Sequence, residues 1–526
     1  MGTIFKRTSH SENDSSSDQD ERKKAPDAVA SERVTFRACF LGVVASMGGF
    51  MFGYVSGQIS GFFDMKDFGQ RFGAYDASSS GYEFSAVRQG AMTGFLQLGC
   101  LAGALAAGRM ADYLGRRLAI SASALWTMVG VIIEVSSSTA WQQFAVGRLV
   151  TGIGIGSMSV VVPMYQSESS PAILRGILIA TYQLFVTLGI WVAEMVDYGT
   201  HLRPNSGSWR IPNALSFGWA LILGIGILFL PESPRHAFRK GREAEARRTI
   251  AVLAGLPEDS PAVNSQIAEI SQKLEEEKSS AAVRWYEIFT GPRMLYRTCL
   301  GIALQAGQQL TGANYYFYFS TQVFRGIGLT DSYVTSIILG SVNVGCTIAG
   351  LYIVRKCGRR AALIGGAIWM AICFLIYSLV GSLMDPTTSK TAGNILIVFS
   401  CLDIAAFATT WGPLVWVVTA EIYPSQHRAT AMAVVTASNW LWNFLISFFT
   451  RFISDDIGFW YGMVFAGCCA ALALIVFFFL IESKDRPLEE IDTMYTLGIN
   501  PITSSRWQPQ DRAKPESGAP AEKAQA

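Results

Sequence analysis

The sequence predicts an all-α membrane protein of twelve transmembrane helices, arranged as two six-helix halves with a helical domain between them. Three observations carry this reading: an apolar, charge-poor composition, twelve apolar stretches split six and six, and short charged motifs that recur at matched places in both halves. Half of the 526 residues are hydrophobic and 16% are charged, with a mean hydropathy of +0.30. Soluble domains carry about 25% charged residues, so the balance points to lipid. The net charge of +2 excludes the large clustered basic surface of a nucleic-acid binder.

A spanning helix needs roughly 20 mostly apolar residues. Candidate spans lie near 39–63, 88–108, 118–136, 143–166, 174–197 and 213–230, then 297–320, 333–354, 361–383, 394–419, 430–452 and 459–481. The domain plan is therefore an N-tail (1–38), a first half (39–230), a linker domain (231–296), a second half (297–481) and a C-tail (482–526). The N-tail is polar and Ser/Asp/Lys-rich, which predicts disorder and no cleavable signal peptide. Within the charged linker, Gly241–Ala254 and Val263–Lys278 read as amphipathic helices outside the bilayer.

The N-tail, C-tail and loops on one side hold 33 Lys and Arg, against seven in the opposite loops. By the positive-inside bias both termini face the cytoplasm. The halves repeat each other. Gly115-Arg116-Arg117 recurs as Gly358-Arg359-Arg360, Glu168-x-x-Pro171-x-x-x-Arg175 as Glu421-x-x-Pro424-x-x-x-Arg428, and Glu232-Ser233 as Glu482-Ser483. Three ordered coincidences indicate parallel repeats related by an axis along the membrane normal. Six of the nine cysteines sit in apolar runs with no framework spacing, and the four histidines are scattered, so neither disulfides nor a metal site are expected. No nucleophile–base arrangement or phosphate-cradling loop appears, which argues against an enzyme and against a cofactor. The glycines of GIGIG (152–156) fall inside a span and suit close helix packing.

The motifs also resemble a known family. GGFMFGY (48–54), GRMADYLGRR (108–117), GRLVTGIGIG (147–156), PMYQSESSPAILRG (163–176) and PESPR (231–235) stand in the first half and linker. QQLTGAN (308–314), FATTWGPLVWVVTAE (407–421) and SNWLWNF (438–444) follow in the second. Together they resemble the sugar porter branch of the major facilitator superfamily, and within it the fungal hexose transporters, from about residue 36 to 492. The resemblance implies the fold of that superfamily and transport of a monosaccharide, a hexose such as glucose or a pentose, by alternating access in the plasma membrane, with the chain working as a monomer.

A sugar site needs uncharged groups that both donate and accept, with an aromatic wall. Asn and Gln amides meet the first need, and aiming them at hydroxyls provides discrimination. The resemblance matches Gln183, Gln308, Gln309, Asn314, Asn343 and Trp416 to sugar-contacting positions, with Asn439 and Asn443 beside them. Gln308 and Asn314 are six residues apart, so a helix unwound near Thr311-Gly312 would aim them together. Tyr318 and Phe319 correspond to an external gate. Arg116, Arg117, Glu168, Arg175, Glu232, Arg359, Arg360, Glu421 and Arg428 correspond to a cytoplasmic latch that holds the outward-open state and breaks as the halves rock. Arg355 stands where relatives carry an acidic residue, which weakens the expected second-half latch.

Proton-driven relatives carry a carboxylate in span one facing an arginine in span four. Here Arg148 keeps the arginine and Val55 takes the carboxylate's place, which favours facilitated diffusion. Glu134, Glu194 and Asp403 are the intramembrane carboxylates to which coupling could have moved, Glu194 and Asp403 being expected near the outer surface in contact with water. A proton symporter, a non-transporting sugar receptor, and a pentose, polyol, disaccharide or cyclic acid as cargo are the other readings.

Overall fold

The computed structural model describes residues 35–507 apart from 78–80, 171, 280–285, 292, 326–331, 385, 387–388, 425 and 485. The N-tail before Thr35 and the chain after Trp507 lie outside this range, as do the side chains of Arg175 and Arg355. The chain is built almost entirely of helices. Six form the first half: Phe36–Phe62, Ala86–Leu114, Arg116–Ser136, Trp141–Ser169, Ala172–Thr200 and Gly207–Gly226. They are spans one to six. Span seven is broken into Met294–Leu310 and Ala313–Arg325, span eight is Ser332–Lys356 and span nine Arg359–Leu383. Span ten is broken into Lys390–Thr409 and Trp411–Glu421, and Arg428–Ile457 and Tyr461–Phe479 complete the set. Each expected span is met by a helix, and most are long and apolar enough to cross a bilayer.

The linker forms Pro234–Arg239, Glu243–Ala254, Pro261–Ser279 and Glu287–Thr290, so both expected amphipathic helices are present. Their apolar faces close on Ala237, Ile250, Val263 and Ile267, which is why this charged stretch folds outside the spans. The C-tail begins with a helix, Leu488–Leu497, docked on the second half by Asp492, which accepts from Arg297 Nη1 at 2.5 Å. At the end of the bundle away from the linker, Ala74–Asp76 and Gly81–Glu83 pair as an antiparallel hairpin with Tyr75 opposite Tyr82. These two features, the linker and the hairpin, identify the ends of the bundle below.

Glycine spacing sets the helix packing of the first half. Gly49, Gly53 and Gly57 recur every four residues along span one, and a Cβ on any of them would run into the backbone of span five at Tyr182, Val186 or Ile190. Gly99 and Gly103 of span two meet Gly152 and Ile153 of span four in the same way. Small residues on one face let helix backbones approach closely, where van der Waals packing replaces the hydrophobic effect that lipid cannot supply.

The halves meet at the hairpin end. Thr321 donates twice to Ser60, from its N–H to Oγ at 3.2 Å and from Oγ1 to the carbonyl at 2.6 Å. Tyr333 Oη donates to the Gly61 carbonyl at 2.7 Å, and Trp191 Nε1 to Ser341 Oγ at 2.8 Å. Gly90 and Gly94 of span two admit Phe448 and Phe444 of span eleven. These contacts between the halves lie in the middle of the bundle or towards this end. The conformation is closed at the hairpin end.

Candidate functional site

The site lies where span seven breaks. Gly312 adopts φ +87°, a left-handed conformation that favours glycine, and the helix restarts at Ala313. The break turns Asn314 back on the preceding turn, so that its Nδ2 donates to Gln309 Oε1. Gln309 Nε2 donates to Asn439 Oδ1 at 3.0 Å, and Asn439 Nδ2 donates to Gln308 Oε1 at 2.8 Å. Gln308 Nε2 in turn reaches the carbonyls of Trp411 (3.0 Å) and Gly412 (2.8 Å), just past the break in span ten. Asn443 Oδ1 accepts from Asn314 Nδ2 at 3.3 Å and from Tyr318 Oη at 3.1 Å. Five expected residues, Gln308, Gln309, Asn314, Asn439 and Asn443, thus form one network of mutually satisfied amides, joined by Tyr318. Sugar hydroxyls entering it would exchange with bonds of the same kind.

Gln183 is half-buried and Asn343 is buried, each without a bond to this network, and Trp416 is half-buried on span ten. Phe319 is buried beside Tyr318 in an aromatic cluster with Tyr316, Phe374 and Phe465. Two members of the network were not singled out in the sequence. Gln305, fully buried, accepts from Asn439 through Oε1 at 2.8 Å. Gln97 of span two donates to Tyr318 Oη at 2.9 Å and carries the network into the first half, its Oε1 unpartnered. The signal for both was available, since an amide inside an apolar span is costly unless partnered.

At the linker end the repeated motifs build the same circuit twice. In the first half the main-chain N–H groups of Arg116 and Arg117, at the start of span three, donate to the Glu232 carboxylate. A carboxylate there satisfies orphan donors and meets the positive end of the helix dipole. Gly115 just before it has φ +91°. Arg116 Nε pairs with Glu168 at 2.8 Å, and Ser233 Oγ donates to the same carboxylate. In the second half Arg359 and Arg360 donate their N–H groups to Glu482, Arg359 pairs with Glu421 at 3.4 Å, and Ser483 Oγ donates to Glu421 at 2.6 Å. Arg428 Nη2 donates to the Tyr423 carbonyl at 3.1 Å. The first-half pair is closer and more buried, at 6% and 10% side-chain exposure against 17% and 19%. In each of these contacts the partner belongs to the same half or to the segment that follows it. Arg116 Nη1 also contacts His236 Nδ1 at 3.1 Å, and burial holds that imidazole below its ordinary pKa.

Arg148 is 1% exposed. Its Nη1 donates to the Val55 carbonyl and its Nε to the Met92 carbonyl at 3.2 Å, so backbone oxygens take the place of the missing carboxylate. Glu134 of span three packs against Gly147, the neighbour of Arg148, and its Oε1 accepts from Thr151 at 2.5 Å. The expectation that Glu194 and Asp403 sit in contact with water is corrected: they are 6% and 0% exposed, because both side chains turn into helix contacts rather than towards solvent.

Comparison with known proteins accords with this geometry. The family model "Sugar (and other) transporter" matches residues 41–495. The chain is 43% identical to the high-affinity fructose transporter ght6 of Schizosaccharomyces pombe over 473 residues, covering 89% of this chain and 88% of that protein. It is 42% identical to the hexose transporter HXT10 of Saccharomyces cerevisiae over 481 residues, covering 90% and 88%. Among solved structures, the xylose transporter XylE from E. coli in a partially occluded inward-open conformation superposes with a TM-score of 0.72. It is 23% identical, and the match covers 86% of this chain and all of that one. With its broken seventh span, amide network and doubled charge circuit, the chain belongs to the sugar (and other) transporter family, in the major facilitator fold.

Proposed function

We propose that this protein carries a hexose across the plasma membrane by alternating access, with the linker domain and both termini in the cytoplasm, and that it does so by facilitated diffusion. The observation that carries the proposal is the amide network from Gln308 to Asn443, uncharged throughout and rich in groups that donate and accept, as sugar hydroxyls require. The printed names of the relatives, transporters of hexose, glucose and fructose, support the cargo. Orientation follows from the 33 Lys and Arg on the linker side. In that orientation the hairpin end is the outer end, so the present conformation is closed to the outside. Tyr318 then acts as an outer gate, and the paired circuits around Glu168 and Glu421 act as the base on which the halves rock.

Facilitated diffusion rests on Val55, which has no proton to exchange with Arg148. The competing symport reading has one observation in its favour, the buried Glu134 with Oε2 unpartnered. Radiolabelled hexose uptake in a yeast lacking its own hexose transporters separates the two. Uptake that persists in the presence of a protonophore supports facilitation. Uptake abolished by it, with alkalinisation of the medium on sugar addition, establishes symport. No uptake of any hexose would overturn the assignment.

A further inference from the structure

Where spans five and eight meet near the hairpin end, two carboxyl groups are buried without a base. Glu194 is 6% exposed and Asp197 2%, and Glu194 Oε2 and Asp197 Oδ1 have no hydrogen-bond partner. They stand three residues apart, on one face of span five. Each is seated in a glycine notch. A Cβ on Gly61 of span one would overlap the Asp197 carboxylate, and a Cβ on Gly340 of span eight would overlap that of Glu194. The second notch belongs to the opposite half. Both carboxyls line a small cavity with Ser60, Thr321, Tyr333 and Ser336. It holds no more than about one water molecule, too little for a sugar or a hydrated metal ion.

The titratable and charged groups around the pair do not neutralise it. Span one presents Tyr54, whose hydroxyl donates to the Pro212 carbonyl, and the turn after it presents Asp64, which accepts from Ser332. Span six presents Arg210, which donates to the Ser137 carbonyl. The outer helix of span seven offers the hydroxyl of Thr321, and span eight offers Tyr333, bonded to Gly61. On span five itself Tyr198 and His201 follow, the His201 ring stacked on Tyr333 at 4.3 Å. Among the described residues no Lys or Arg forms an ion pair with either carboxyl.

An ionised carboxylate is strongly disfavoured away from water unless paired, and two such groups side by side more so. When the halves part at the hairpin end, Glu194 loses its seat against Gly340 and the cavity opens to water, where carboxyls are ionised at neutral pH. We infer that Glu194 and Asp197 form a proton-binding site in the seam between the halves, filled as the outer end closes and emptied to the outside as it opens. The inference rests on the alternating-access reading and its orientation. Protons enter and leave by the same side, so the site gates the carrier without driving sugar uphill. Closing takes up protons, and raising the external pH therefore favours the outward-open form.

The test uses the full-length protein with Phe448→Cys as a reporter, since Phe448 packs on Gly90 across the halves and away from the carboxyls. Intact cells are labelled from outside with a membrane-impermeant maleimide, with the native carboxyls and with the proton-mimicking pair E194Q and D197N. The ratio of the two rates cancels the reporter thiol's own titration. That ratio is expected to rise several-fold between roughly pH 5 and pH 8, the range above the ordinary carboxyl pKa. A flat ratio overturns the proposal, whether the pH effect is absent or belongs to another group such as His201. A ratio that follows external sodium or potassium instead of pH overturns it in favour of a metal cation. If the double variant does not reach the surface, E194Q and D197N singly are each expected to show part of the effect, and neither showing it overturns the proposal. Labelling needs no sugar, so an error in the hexose assignment leaves this result unaffected.

Discussion

Arg148 Nη1 donates to the main-chain carbonyl of Val55 across 2.8 Å, so the residue that lacks a carboxylate still holds the arginine through its backbone. Glu134 of span three packs on Gly147, next to this fully buried guanidinium, and bonds Thr151 through Oε1. Removing the arginine alone takes away the buried cation beside Glu134 and leaves the Val55 and Met92 carbonyls without its donors. R148M is therefore expected to lower the thermal stability of the purified carrier. The double variant R148M/E134Q should recover part of that loss, with a coupling on the order of 1 kcal/mol. Additive losses in the unfolding of the two single variants would show that the residues are independent.

Gln308 ties Asn439 to two carbonyls at the span-ten break. Gln308→Ala removes these three bonds, at about 1 kcal/mol each, and takes away an amide of the proposed sugar site. Roughly a tenfold or greater rise in the KM of hexose uptake is expected, with normal surface expression. An unchanged KM would remove Gln308 from the site.

Tyr318 Oη is the one atom that bonds both Gln97 of the first half and Asn443 of the second. Tyr318→Phe deletes both bonds while keeping the ring; the bond to Gln97 is the one that crosses the halves, and its loss, about 1 kcal/mol, falls on the closed conformer. Maleimide labelling of a reporter cysteine at the outer seam should become several-fold faster in Y318F. Gln97→Ala should reproduce part of the effect, and labelling unchanged in both would show that these bonds do not hold the outer end shut.

His236 carries a pH dependence of the opposite face. Burial favours its neutral form, and Nδ1 faces Arg116 at 3.1 Å. The folded protein thus binds fewer protons here than the unfolded chain, so stability rises with pH and is lost as pH falls below the ordinary imidazole value of about 6.5. Thermal unfolding in detergent should show this loss on acidification, and His236→Gln should flatten the part of the profile near that value. An identical profile in the variant would exclude His236 as its source.

Much of this molecule can be read along the chain. The twelve spans, the linker helices and the repeat of Arg116, Glu168 and Glu232 in Arg359, Glu421 and Glu482 follow from local hydropathy and motif spacing, because a bilayer leaves the backbone few ways to satisfy its own hydrogen bonds. Gln308, Gln309, Asn314, Asn439 and Asn443 stood out as amides in apolar runs, and the break at Thr311-Gly312 was marked by its glycine. Tertiary structure alone decided which of these groups touch. It brought Gln97 and Gln305 into the network, replaced a lost carboxylate with the carbonyls of Val55 and Met92, and buried Glu194, Asp197 and Asp403. Those outcomes depend on where helices separated by dozens of residues come to lie against one another, and on notches such as Gly61 and Gly340 whose meaning appears only when the opposite helix fills them. Composition and spacing state that a polar group lies within the membrane; only the packing of the halves states what it faces.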